Sequence, residues 1–280
     1  MTIMTTTFIP CGAKLPIIAL ISSALFGGAW WVAPSAYFVG AVAIILSGIM
    51  LKKTRMFAGD PAPFVMELPA YHLPTVSNVL RSMWERCWSF IKKAGTIILL
   101  SSIVIWAGSA FGVVDGAFRF DPEMELESSV LGMIGGAICW IFAPLGFGTI
   151  KAAVATIMGL VAKEEIVGVF GVIDFEGLSQ LAAYAFLCFN LLCAPCFAAI
   201  GAIRREMNSA KWTCFAIGYQ CVFAYAVSLV IYQIGAIFAS GVSVNVIGLV
   251  AALLVIALAL FLLFRPYRES TKLTAKVRTN

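Results

Sequence analysis

Apolar residues run almost without interruption through stretches at 15–31, 36–51, 94–112, 129–146, 152–172, 182–203, 212–234 and 244–264, with short polar segments between them. A helix needs ~20 mainly apolar residues to cross the hydrocarbon core, so each stretch predicts a membrane span, several of them short or interrupted. The runs are continuous, whereas barrel strands alternate lipid-facing and lumen-facing positions over ~10 residues. One segment has a different period. Val76, Val79, Leu80, Met83, Cys87 and Ile91 recur at three- and four-residue steps, with Arg81, Glu85, Arg86, Ser89, Lys92 and Lys93 opposite them and Trp84 and Trp88 at the border. That pattern predicts an amphipathic helix at the membrane surface, with Thr75 as its cap. It serves either as an anchor or as a lever to a cytoplasmic partner. The fold class is therefore all-α: a polytopic transmembrane helix bundle of about eight spans, with broken helices and one cytoplasmic amphipathic helix.

Composition agrees, with 61 % apolar and 12 % charged residues. Soluble domains have roughly 45–50 % and about 25 %. Four regions follow: 1–51, a broken element and a helical hairpin; 52–93, a proline-rich cytoplasmic loop and the amphipathic helix; 94–264, the main bundle; and 265–280, a basic tail. The bases Lys52, Lys53, Arg55, Arg81, Arg86, Lys92, Lys93, Lys151, Arg204, Arg205, Lys211, Arg265, Arg268, Lys272, Lys276 and Arg278 fall on one side when eight spans are drawn. Asp115, Asp121, Glu123, Glu125, Glu127, Asp174 and Glu176 fall on the other, with Arg119 as their only base. Cytoplasmic loops hold the excess of Lys and Arg, which places both termini inside a bacterial cytoplasmic (inner) membrane. The net charge of +5 is thus a matter of topology and calls for no nucleic acid. Charge leaves open whether 129–172 is two spans or a re-entrant pair. No cleavable signal pattern opens the chain.

The polar chemistry within the apolar stretches is sparse. Pro10-Cys11 and Pro195-Cys196 lie in two of them, and Lys163-Glu164-Glu165 interrupts a third. Proline at membrane depth frees carbonyls, and half-helix ends of this kind build ion sites in transporters. Ionisable residues inside the membrane mark a pathway by default. The eight cysteines (11, 87, 139, 188, 193, 196, 214 and 221) sit nearly all in apolar stretches, where thiols behave as small hydrophobes, and no structural disulfide is expected. His72 stands alone in the proline-rich loop.

The run Pro10-Cys11-Gly12-Ala13-Lys14-Leu15-Pro16, the segment Met66 to Pro74, Trp84-Glu85-Arg86, Lys92-Lys93-Ala94-Gly95, Ala143-Pro144-Leu145-Gly146, Ala162-Lys163-Glu164 and the stretch from Pro195-Cys196 to Lys211-Trp212 closely resemble the membrane domain of the ferrous iron transport protein B (FeoB) family. The likeness covers nearly the whole chain in order. It implies an Fe2+ permease of the cytoplasmic membrane, a transporter and not an enzyme, with the two Pro-Cys elements in what the family calls gate regions. Such proteins normally carry an N-terminal GTP-binding domain. No G-x-x-x-x-G-K-[ST] loop occurs here, so this chain is expected to hold no GTP site and residues 1–14 to be the remnant of a span. The expected partners are Fe2+ as transported substrate, the lipid bilayer, a GTP-binding domain or N-terminal half, and a second copy of the chain. Fe2+ accepts thiolate and carboxylate ligands, which makes Cys11, Cys196, Glu164 and Glu165 the pathway candidates, with Cys193, Lys14 and Lys163 as neighbours. Consecutive residues on a helix face different directions, so at most one of the two glutamates faces the route. Lys163 either neutralises a carboxylate at a helix contact or takes part in conduction. Two other readings are an intramembrane thiol–disulfide oxidoreductase built on Cys193-Ala194-Pro195-Cys196, and a non-transporting gate-domain membrane subunit.

Overall fold

A computed structural model describes residues 2–54, 75–114, 117–120, 128–163, 165–167, 178–239 and 245–265. The loop with His72, the outer acids, Glu164 and the tail beyond Arg265 lie outside these residues. The described chain is a bundle of helices: α1 (Thr2–Thr6), α2 (Leu15–Phe26), α3 (Val32–Lys52), α4 (Val76–Ala110), α5 (Val130–Phe142), α6 (Ile150–Val161), α7 (Gln180–Leu192), α8 (Phe197–Met207), α9 (Ala210–Phe238) and α10 (Val246–Phe264). Among the described residues four helices are long and apolar enough to cross a membrane: α3, α7 continued by α8, α9 and α10. A fifth crossing is added if α5 and α6, bent by 101°, count as one.

α7 is the central helix. Ala182, Ala183 and every residue from Ala185 to Leu192 are buried, because the helix is apolar nearly all round and α2, α3 and α9 pack against it. Small residues let these helices approach. A Cβ on Gly235 of α9 would enter the Leu181 side chain of α7, a close approach of the kind that holds membrane helices together. Ser228 of α9 donates to the Ala185 carbonyl at 2.8 Å. The outer surfaces are apolar instead of polar. On α10, Leu253, Leu254, Leu258 and Phe261 are exposed, as a lipid-facing surface requires.

The span expected over 15–31 forms only a twelve-residue helix, stopped by Gly27 and Gly28, both at positive φ, where glycine escapes the Cβ clash. The amphipathic helix and the span expected from 94 are a single helix, the 35-residue α4. At 1.5 Å per residue it is about 52 Å long, well beyond the ~30 Å hydrocarbon core. Thr75 precedes it in extended conformation but its hydroxyl makes no cap bond. Arg81 and Glu85 pair at 3.1 Å, and Trp84 stacks on Trp88 with ring centroids 6.1 Å apart. After α4 comes an antiparallel hairpin, β1 (Phe111–Val114) with β2 (Ala117–Phe120). It follows from Asp115-Gly116 between apolar residues, a hairpin signal that the membrane periodicity obscured.

Candidate functional site

Three helices break inside the bundle, and proline causes each break. Pro195 carries no N–H, so it cannot take the carbonyl of Leu191 four residues earlier. α7 therefore ends at Leu192, Cys193 to Cys196 run extended, and α8 restarts at Phe197. Pro10 likewise separates α1 from the 3-10 turn Gly12–Lys14 and α2. The third break, Phe142 to Thr149, contains Pro144 and turns α5 into α6.

Lys14 joins the first two breaks. Its side chain is buried, with 2 % exposed, and its Nζ donates to the Leu191 carbonyl at 2.6 Å and to the Thr7 carbonyl at 3.1 Å. The carbonyl that Pro195 frees is thus taken by a lysine from the other broken element. Gln220 of α9 completes the clamp, donating to the Met4 carbonyl at 3.0 Å and to the Thr7 hydroxyl at 2.7 Å. Sequence neighbourhood alone would pair Lys14 with Cys11. It reaches Cys11, Cys193 and Cys196 electrostatically, while its hydrogen bonds all go to backbone.

The second buried cation, Lys163, sits in the turn after α6 with 2 % of its side chain exposed. Among the described residues its Nζ has no hydrogen-bond partner. It lies in electrostatic range of Cys193, Cys196, Cys11 and Cys221, and of Lys14. Asn190 Oδ1, also buried and unpaired, faces α6 at Gly159, where a Cβ would stand 3.5 Å from it. Gly159 lies on the last turns of α6, and Lys163 follows that helix after the extended Ala162. Buried polar groups are nearly always bonded, and their concentration here sets this part of the bundle apart.

Cys11, Cys193 and Cys196 each lie in electrostatic range of both lysines. Cys11 is exposed and Cys196 half-buried, each at the residue preceding its restarting helical segment. Glu165 is half-buried, its N–H bonded to the Ala162 carbonyl at 3.2 Å. Glu164 is outside the described residues. No three His, Cys, Asp or Glu side chains among the described residues are placed to hold a metal ion as they stand. Cys221, Asn190 and Gln220 were not singled out by sequence reasoning. For the amides the signal was a lone polar residue within an apolar run. For Cys221 there was none.

The third break is built differently. Tyr225 donates to the Ile141 carbonyl at 2.9 Å and Gln233 to the Pro144 carbonyl at 2.6 Å, both from α9. Gly146, at φ +84°, lies so close to the Tyr232 ring that a Cβ could not fit. α5 and α6 also pack tightly, since a Cβ on Gly135 would stand 2.5 Å from Val154 Cγ2.

Residues 33–86 match the family model described as ferrous iron transport protein B C terminus, and residues 91–210 match Gate, described as nucleoside recognition. The Fe(2+) transporter FeoB of Staphylococcus aureus (strain COL) is 35 % identical over 249 residues, covering 85 % of this chain and 36 % of the relative. The Fe(2+) transporter FeoB of Methanocaldococcus jannaschii is 34 % identical over 249 residues, covering 84 % and 37 %. The Fe(2+) transport protein A/Fe(2+) transporter FeoB fusion protein of Porphyromonas gingivalis is 32 % identical over 292 residues, covering 85 % and 34 %. The chain spans about a third of the length of the curated relatives it matches. No solved structure matches it.

Proposed function

This chain belongs to the ferrous iron transport protein B family, whose C-terminal membrane region it carries, and from that premise we propose that it forms part of a permease moving Fe2+ into the cytoplasm. The observation that carries the proposal is the meeting of two proline-broken elements at Lys14, with three thiols and unpaired buried polar atoms beside it. An apolar bundle gains nothing in stability from such a region, and polar groups at membrane depth are kept for a pathway.

Cys11 and Cys196 supply soft ligands at the two breaks, and Glu165 or Glu164 supplies a carboxylate at the turn after α6. Fe2+ accepts both ligand types, and a conduction site must hold its ion weakly enough to release it. Because no ligand set is assembled among the described residues, passage requires the broken segments to shift until sulfur and carboxylate converge. Lys163, buried and without a hydrogen-bond partner among the described residues, lies in electrostatic range of the thiols, and its side chain moves aside when a divalent ion arrives. In this reading the chain lies in the cytoplasmic membrane with both termini inside, which the one-sided distribution of Lys and Arg supports. Nucleotide hydrolysis, where the permease uses it, comes from a GTP-binding domain or N-terminal half outside this sequence.

The test is Fe2+ uptake into proteoliposomes containing the chain assembled with the remainder of its transporter. Cys196→Ser and Cys11→Ser are expected to lower the initial rate at least tenfold without loss of protein from the vesicles. Wild-type rates in both variants would remove the thiols from the route.

A further inference from the structure

The thiol pair in contact at the site is not the Cys-x-x-Cys pair that the sequence displays. Cys193 Sγ lies 3.8 Å from Cys221 Sγ, although the two residues belong to different helical elements and are 28 positions apart. Cys193 is the residue at which α7 stops, its N–H making the last helical bond, 2.7 Å to the Phe189 carbonyl. Cys221 stands on α9, next to Gln220, which fastens the first break. Both cysteines are free. Cys193 is buried and Cys221 half-buried, so Cys221 is the more accessible. Lys163 lies in electrostatic range of both sulfurs.

We propose that Cys193 and Cys221 are an oxidisable pair whose disulfide ties the second helix break to α9. A disulfide has its sulfurs ~2.05 Å apart, so they need to approach by roughly 1.8 Å, within reach of side-chain rotation at an extended segment. With hydrogen peroxide as oxidant, the Cys221 sulfur attacks one peroxide oxygen, the O–O bond breaks and water leaves, giving a sulfenic acid. The Cys193 sulfur then displaces the hydroxyl as a second water. Two thiols lose two protons and two electrons, one S–S bond forms, and one peroxide becomes two waters. A small dithiol reverses the step by exchange through a mixed disulfide. Joined in this way, Cys193 can no longer move independently of α9. The pair is thus a place where the oxidation state of the surroundings sets how freely the break rearranges.

The experiment uses the full chain purified in detergent under reductant, freed of reductant and exposed to hydrogen peroxide. Remaining thiols are blocked with N-ethylmaleimide, and the protein is digested without reduction for mass spectrometry. The expected product is a Cys193–Cys221 linked peptide pair, with two of the eight cysteines protected from alkylation and restored to it by dithiothreitol. Cys193→Ser and Cys221→Ser should each abolish the link, and Cys139→Ser should keep it. A Cys193–Cys196 link, links between copies only, or full alkylation of the peroxide-treated wild type would each overturn the proposal. The peptide map is read without reference to any transported ion, so it stands or falls apart from the permease reading.

Discussion

The bend between α5 and α6 and the crossing of the two Pro-Cys elements solve one problem in opposite ways. In both, the helix break leaves carbonyls without a helical N–H partner at membrane depth, where each unpaired group is costly. At the bend, neutral side chains of α9 take them: Tyr225 the Ile141 carbonyl and Gln233 the Pro144 carbonyl. Tyr232 then seals the turn against Gly146. At the crossing a buried lysine takes them, and a second buried lysine has no hydrogen-bond partner among the described residues. α9 itself contributes only neutral side chains at both places, Gln220 at the crossing and Tyr225 and Gln233 at the bend. The bend holds shape. The crossing holds charge near sulfur.

The comparison is broken most forcefully at Gly146. Alanine there must adopt a left-handed conformation and displace the Tyr232 ring, two costs that together reach about 2–4 kcal/mol. Gly146→Ala should therefore lower the thermal midpoint in detergent more than substitution of Lys14, Gln233 or Lys163, with Tyr232→Ala in the same chain recovering part of it. Lys14→Met should cost about 2–3 kcal/mol, because it leaves the Leu191 and Thr7 carbonyls unpaired in the interior. Chemical unfolding followed by circular dichroism checks this, and a stability equal to wild type would mean that Lys14 does not clamp the breaks. Gln233→Leu should cost about 1 kcal/mol, since the loss of the Pro144 bond is offset in part by removal of an unpaired Oε1. Lys163→Met sharpens the contrast by its sign. Removing a buried cation with no partner among the described residues should leave stability unchanged or raise it slightly, while Fe2+ uptake by the assembled transporter falls. A loss of stability as large as that of Lys14→Met would make Lys163 a packing element like the residues of the bend.

Much of the fold was legible because the bilayer imposes a simple rule. Continuous apolar length predicts a helix, and the long helices α3, α9 and α10 lie within one to four residues of the stretches at 36–51, 212–234 and 244–264 at most of their ends. The breaks were legible too, since proline removes a donor whatever surrounds it. The continuity of the amphipathic segment with the apolar stretch from 94 in the single helix α4 was not. A change from amphipathic to uniformly apolar pattern marks a change of surroundings, not of backbone, and nothing at Lys93-Ala94 stops a helix. The stretch at 182–203 reads as one apolar run although the helix stops in its middle, because hydropathy is blind to hydrogen bonding.

The candidate site divides in the same manner. Local sequence determined that Cys11, Cys193 and Cys196 stand at helix breaks and that Lys163 follows α6 in an apolar setting, since proline geometry and the scarcity of charge act over a few residues. Tertiary structure alone decided that Lys14 reaches a carbonyl 177 positions away, that Cys193 meets Cys221 on another helix, and that Gln220 and Asn190 turn inward. Those pairings depend on how helices cross and on which small residues let them approach. Such distances are fixed by packing across the bundle, and no spacing along the chain records them.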